Sequence, residues 1–165
     1  MLEYWSEPSL ASNEDLNSSA IDDWARLCYP KKVLWECTRC AKCCCDSPNH
    51  DRQILLLQSE ANEIRKASGL EVTDFSEPSA SGIYALRMKK KAGRCMFLDG
   101  AQCQIYDRRP LVCRFYPIWL RQDNATYIFG VTDECPGIGK GRRLERNHYL
   151  LLLRLAQERL NACET

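Results

Sequence analysis

The stretch "CTRCAKCCC", Cys37 to Cys45, places five cysteines within nine residues, three of them consecutive. A chain with that many thiols at one point must oxidise them, expose them or bind something with them. The whole chain has 11 cysteines, an odd number. Its first residues, MLEYWSEPSLASNEDLNSS, contain neither a basic n-region nor an apolar h-region. No secretory signal is read there, and the expected location is the cytoplasm. A cytosolic thiol pool opposes structural disulfides. A disulfide scaffold in an exported or thermophilic protein is the alternative, but so many cysteines crowding one turn fit it poorly. Metal is the usual holder of clustered reduced thiols.

Composition bounds the rest. With 165 residues, 45% apolar and 27% charged, the chain reads as a soluble globular domain with tails. A formal net charge of +1 predicts neither a nucleic-acid nor a membrane partner. The longest aliphatic run, Leu150 to Leu153, falls far short of the ~20 apolar residues of a membrane span.

The expected organisation has three parts: an N-terminal arm with a short helix over 1–32, a cysteine-cluster metal-binding domain over 33–141, and a C-terminal helix packed on that domain over 142–165. In the arm, a helix capped by Ser19 buries Ile21, Trp24 and Leu27 and ends at Tyr29-Pro30, and Trp5 is a docking residue. Ile54 to Leu57 reads as a strand. Gln58 or Ser59 starts a helix carrying Ala61, Ile64 and Ala67 inward, stopped by Gly69. "EVTDFSEPSASG" reads as loop. "IYALRMKK" and "ATYIFGVT" read as strands. Asp99-Gly100 marks a turn before Cys103. A helix from Leu144 to Ala162 offers Leu151, Leu152, Leu155, Ala156 and Leu160 as its apolar stripe. The fold class is a small, irregular, cysteine-rich α+β domain with short strands and a few helices.

A C-x2-C-x2-C run aims three thiolates at one centre from a tight turn, and a remote Cys-Pro supplies a fourth in cubane sites. Cys37, Cys40, Cys43 and Cys135 satisfy that arithmetic. Neighbouring side chains usually diverge, so Cys44 is expected to serve another centre or bridge two. With Cys45, Cys28 and Cys163 set aside, eight remain: Cys37, Cys40, Cys43, Cys44, Cys95, Cys103, Cys113 and Cys135. Eight thiolates suffice for two tetrahedral sites. All-thiolate ligation favours zinc or iron–sulfur over magnesium or calcium. Such sites are anionic, and Arg39, Lys42, Arg109 and Arg114 stand nearby in sequence to offset the charge.

"CTRCAKCCC", "GRCMFLDGAQCQIYDRRPLVCRFYP" and "CPGIGKG" together resemble the CxxCxxCC family of zinc- or iron-chelating proteins. The resemblance runs from about Cys37 to Gly141. It rests on Cys37-x2-Cys40-x2-Cys43-Cys44, Cys95, Cys103-x-Ile105-Tyr106, Arg109-Pro110-x2-Cys113-Arg114, Pro117 and Cys135-Pro136-Gly137. It implies metal ligation by the same eight cysteines, with Tyr106, Arg109 and Arg114 beside them. Members are often labelled iron–sulfur oxidoreductases, and the flagellin lysine N-methylases look similar over the same motif. Two departures stand out: Ala41 where the family typically has Gly, and an extra Cys45.

Other residues have plainer readings. His50 is expected at the surface, His148 inert in the last helix, and Cys28 and Cys163 as packed thiols. "RMKKKAGR" reads as a solvated strand end. "GIGKG" lacks the full phosphate-loop pattern and reads as a turn after a ligand. Arg109 is expected to offset thiolate charge rather than to bind an anionic substrate.

Three function classes stay open: a redox protein with an iron–sulfur cluster of the 4Fe–4S type, a zinc-stapled interaction module, and a protein-modifying enzyme like the lysine N-methylases. No S-adenosylmethionine signature, acid/base pair or C-x3-C-x2-C radical motif is visible, so no catalytic residue is assigned. The preferred reading is an iron–sulfur centre with zinc as the alternative cofactor, and a protein as the expected partner.

Overall fold

Two kinds of segment alternate along this chain: elements of five or more residues that bury apolar side chains, and strands of two residues that pin cysteine-bearing loops. The structure is a computed structural model, and it describes residues 2–6 and 26–161. The strands are β1 (Leu2–Ser6), β2 (Arg26–Cys28), β3 (Leu34–Trp35), β4 (Leu55–Leu56), β5 (Ser76–Ser81), β6 (Tyr84–Met88), β7 (Lys90–Lys91), β8 (Arg94–Cys95), β9 (Leu98–Asp99), β10 (Gln102–Cys103), β11 (Pro117–Asp123), β12 (Thr126–Val131) and β13 (Arg142–Arg143). The helices are α1 (Gln58–Ser68), α2 (Val72–Phe75), α3 (Leu111–Phe115) and α4 (Arg146–Asn161). This is the small α+β domain of short strands and few helices that the sequence predicts.

The larger sheets have the orders β1-β11-β12-β2 and β4-β6-β5. β11 and β12 form an antiparallel hairpin, while β2 joins β12 in parallel. Leu27 therefore sits in a strand rather than on a helix. The rest of the expected Ser19 helix, with Ile21 and Trp24, lies outside the described residues, as does Cys163.

α1 begins and ends where the sequence says. Gly69, at φ 73°, takes the left-handed stop. Ala61 and Ile64 are buried, but Ala67 faces out. The helix start is closed by Glu60: the Leu57 N–H donates to its carboxylate at 3.0 Å. The other carboxylate oxygen accepts from the Leu111 N–H at 2.6 Å. One buried carboxylate thus ties α1 to α3. Burial pushes the Glu60 carboxyl above its ordinary range, and the two N–H donors pull the other way.

α4 buries Tyr149, Leu152, Leu153 and Ala156 against this core. Tyr149 stacks on Tyr29, centroids 4.8 Å apart, and its hydroxyl donates to the Pro30 carbonyl at 3.2 Å. The expected stripe included Leu152 and Ala156; Leu151, Leu155 and Leu160 are only half-buried. "EVTDFSEPSASG" is not loop. It forms α2 and then β5, because pairing with β6 recruits Ser- and Pro-rich residues as an edge strand. Among the described residues, no helix is long and apolar enough to cross a membrane.

Candidate metal centre

The cysteines arrive on four loops and on α3; turns and two-residue ladders fix the first three loops, and pairing with the distant β3 fixes the fourth. In the first, Ala41 takes the left-handed conformation, φ 59°, and a 3-10 turn over Lys42–Cys44 follows. The backbone needs there what a glycine would supply without strain, and Ala41 adopts it nonetheless. In the second, β8 carries Cys95, with Lys90 opposite it on β7. In the third, the β9–β10 hairpin turns at Asp99-Gly100, as expected, and sets Cys103 opposite Leu98. Cys113 follows on α3.

The fourth loop, after Cys135, is laid against β3. The Glu36 N–H donates to the Gly137 carbonyl at 3.2 Å and the Gly139 N–H to the Leu34 carbonyl at 2.8 Å. Trp35 bridges Ile138, and Arg142 pairs with Trp35. A side chain at Gly137 would put its Cβ 2.1 Å from the Glu36 carbonyl oxygen, so only glycine permits this approach. The "GIGKG" loop is therefore a backbone partner of the first cysteine segment, and it carries Cys135 toward Cys37.

All eight predicted ligands, Cys37, Cys40, Cys43, Cys44, Cys95, Cys103, Cys113 and Cys135, line one cavity of about 380 Å³. Cys45 and Cys28 do not line it. Cys28 is exposed on β2 rather than packed. Cys28, Cys40, Cys43, Cys44, Cys45, Cys95, Cys103, Cys113 and Cys135 are free thiols. Cys37 and Cys40 are exposed at the rim, whereas Cys95 and Cys135 are buried.

The Cys43 and Cys44 sulfurs lie 3.8 Å apart, so this adjacent pair does not diverge. Four sulfurs at roughly 2.3 Å from one tetrahedral ion stand about this far from each other. As they stand, no three His, Cys, Asp or Glu side chains among the described residues converge closely enough to hold a metal ion. The thiols surround a space rather than a point.

Electrostatics favours a bound cation. The Cys44 thiol, and then burial, push the Cys43 thiol far up. Burial raises Cys95 to about 11 and holds Cys103 and Cys113 above the ordinary thiol range. Cys43, Cys95, Cys103 and Cys113 also repel one another's charge in every pairing. Positive charge among the sulfurs favours their ionised form, and metal ions bring it.

A second fit is the Trp35 indole. Trp35 lines the cavity, its Nε1–H is buried, and that donor has no hydrogen-bond partner among the described residues. Buried donors find acceptors, and the sulfur of a bound centre is one. The residues present therefore fit a thiolate-bound metal group.

Three arginines serve the site differently. Arg109 lines the cavity, 3.6 Å from the Tyr106 ring centroid, and its charge favours the thiolates of Cys103 and Cys113. Tyr106 lines the same wall. Arg114 lies outside the wall. It braces the turn instead, donating to the Arg109 carbonyl at 2.8 Å and the Asp107 carbonyl at 2.7 Å.

Arg52 escapes sequence reading altogether. It is 5% exposed, sits 4.8 Å over the Tyr116 ring and pairs with Glu134 at 2.8 Å. Its backbone N–H donates to Asp46 at 2.7 Å. Arg52 thus clamps the residue after Cys45 to the residue before Cys135, and its charge favours a thiolate at Cys43. Lys90 reinforces the clamp through Asp46, at 2.8 Å, and through Asp51, so the basic run is engaged at that residue rather than wholly solvated. His50 does not line the cavity; its backbone pairs with Ser47. His148 is buried on α4.

A cavity walled by cysteines from four loops and α3 defines a thiol-rich metal-chelating domain. The sequence profile of the CxxCxxCC family, described as "Putative zinc- or iron-chelating domain", matches residues 36–136, and the chain belongs to that family. It is also similar to the uncharacterized protein MJ0661 of Methanocaldococcus jannaschii, 27% identical over 124 residues. That match covers 68% of this chain and 63% of the relative's length, so the chain spans less than two thirds of the relative. No solved structure matches.

Proposed function

We propose that four of the eight cavity thiols hold an iron–sulfur cluster and the other four a second metal, and that the protein transfers electrons through the cluster. The observation that carries this reading is the single cavity of about 380 Å³ with all eight cysteines on its wall. One ion with sulfurs at about 2.3 Å leaves no void among its ligands, whereas a polynuclear cluster occupies one. When bound, such a group supplies one-electron chemistry at a potential set by hydrogen bonds and exposure. The chain's own residues then set its surroundings. Arg109 and Arg52 offset the thiolate charge, Trp35 offers a donor to sulfur, and Tyr116 and Ile54 wall off water.

The test is anaerobic purification with metal and acid-labile sulfide analysis. About four irons with matching sulfide per chain are expected, and Cys40→Ser should lose metal and melt lower. Full occupancy and unchanged melting in that variant would defeat the ligand assignment. A second reading, a zinc-stapled protein-interaction module, has one specific support: the 3.8 Å between the Cys43 and Cys44 sulfurs. One or two zincs without sulfide would establish it in place of the first.

A further inference from the structure

Segments 31–42 and 139–146 hold eight Lys and Arg residues against two acids, Glu36 and Glu145, in a chain of formal net charge +1. The fold puts these two segments side by side. β3 pairs with β13, matching Leu34 to Arg143 and Trp35 to Arg142. The Arg143 Nε–H donates to the Lys31 carbonyl at 2.8 Å. Lys31, Lys32, Arg39, Lys42, Lys140, Arg142 and Arg143 are all exposed. Leu34, opposite Arg143 and so on the same side of the strand pair, is also exposed at 40%. Cys37 and Cys40, the exposed rim of the thiol cavity, lie within the first of these segments.

We infer that this basic surface docks an acidic electron-carrier protein against the Cys37–Cys40 rim. The inference rests on the redox reading above. Eight bases less two acids give this surface a net charge of +6 in a chain of net +1, so the rest of the chain is net negative; the positive charge lies where the thiol cavity comes nearest to solvent, and opposite charge on a partner steers encounter to that point. Leu34 supplies an apolar contact inside the charged ring. A nucleic acid fits less well: the two basic segments expose no aromatic side chain, Trp35 being 4% exposed, the nearby exposed Tyr106 ring is already covered by Arg109 at 3.6 Å, and Glu36 and Glu145 oppose a phosphate backbone.

The experiment uses the metal-loaded full chain under anaerobic conditions, with a chemically reduced, acidic plant-type [2Fe–2S] ferredoxin as the probe. One electron leaves the ferredoxin's ferrous iron, which becomes ferric, and enters the centre, whose absorbance bleaches. The second-order rate should fall at least tenfold as salt rises from about 20 to 500 mM. Lys31→Glu/Lys140→Glu should lower the low-salt rate about tenfold with iron and sulfide retained. Lys66→Glu/Arg121→Glu, the same charge change on α1 and β11, should leave it unaltered.

Equal rates for the two double variants, or a salt-independent rate, would overturn the docking surface. So would a patch variant that loses affinity for a single-stranded RNA while keeping its electron-transfer rate. Reduction of the wild type by dithionite but not by ferredoxin would remove the docking proposal and leave the redox reading standing. No bleaching with dithionite would remove both.

Discussion

The part of the molecule built from α1, α4 and the β4-β6-β5 sheet differs from the thiol-bearing part in what holds it. In the first, Leu56, Leu57, Ile64, Phe75, Leu152 and Leu153 are almost fully buried, and the stabilising term is apolar area removed from water. In the second, residues 36–46 and 94–104 run through strands of two residues and a 3-10 turn. Such short ladders do not stand alone. Phe97 packs on Phe75, centroids 5.6 Å apart, and the remaining interior surface of these segments is mostly thiols that repel one another when ionised. The first part is finished by its own side chains; the second is completed by what it binds. Glu60 and Arg52 join the two kinds of structure, the former tying α1 to the helix of Cys113, the latter clamping two cysteine loops together.

The sharpest way to break this comparison is to remove the metal. Chelation under reducing conditions should abolish amide protection in 36–46 and 94–104 while α1 and α4 keep theirs, as read by hydrogen exchange. Loss of protection everywhere at once would make the two parts one cooperative unit. Next in size, Leu152→Ala should cost about 2–5 kcal/mol through its cavity. That loss should be the same in metal-free and metal-loaded protein, with metal content unchanged, in denaturant titrations.

His148 gives a pH test confined to the apolar part. Burial, and then the Arg142 charge, lower its pKa to about 4 from the ordinary 6.5 of histidine. The unfolded chain takes up that proton first as pH falls, so the contribution is fully present above pH 6.5 and lost on the way down to about 4. His148→Leu should flatten the acid limb of a melting-temperature profile over that window; an unchanged limb would assign the acid sensitivity elsewhere. The smallest effect belongs to the thiol part. Ala41→Gly should stabilise by about 0.5–1 kcal/mol, because Ala41 stands at φ 59°, and a loss of stability would mean that flexibility outweighs strain there.

The C-x2-C-x2-C run and the remote Cys-Pro name Cys37, Cys40, Cys43 and Cys135, because that spacing is a ligand pattern in itself; the family resemblance adds the other four that come to the same cavity and leaves Cys28 and Cys45 outside it. The Asp99-Gly100 hairpin and the Gly69 stop are legible because each carries its own local turn signal. What the sequence hides is tertiary. Ser76 to Ser81 looks like a linker until β6 offers it a pairing edge. Nothing in the sequence places the Trp35 indole N–H, buried and without an acceptor among the described residues, at the thiol wall. Arg52 sits in no motif, and its partners, Glu134 and Asp46, lie 82 and 6 residues away in sequence. The closeness of Cys43 and Cys44 is equally hidden, since the sequence does not announce the 3-10 turn that carries both.

The central claim is that eight particular thiols hold the metal, and alkylation mapping tests it most directly. The native, metal-loaded chain would be treated with iodoacetamide and each cysteine read by peptide mass spectrometry. Cys28 should label fast, and Cys37, Cys40, Cys43, Cys44, Cys95, Cys103, Cys113 and Cys135 slowly until metal is removed. The exposed rim pair decides the matter, because burial alone does not shield it. Labelling of Cys37 and Cys40 at the Cys28 rate in fully loaded protein would contradict the account.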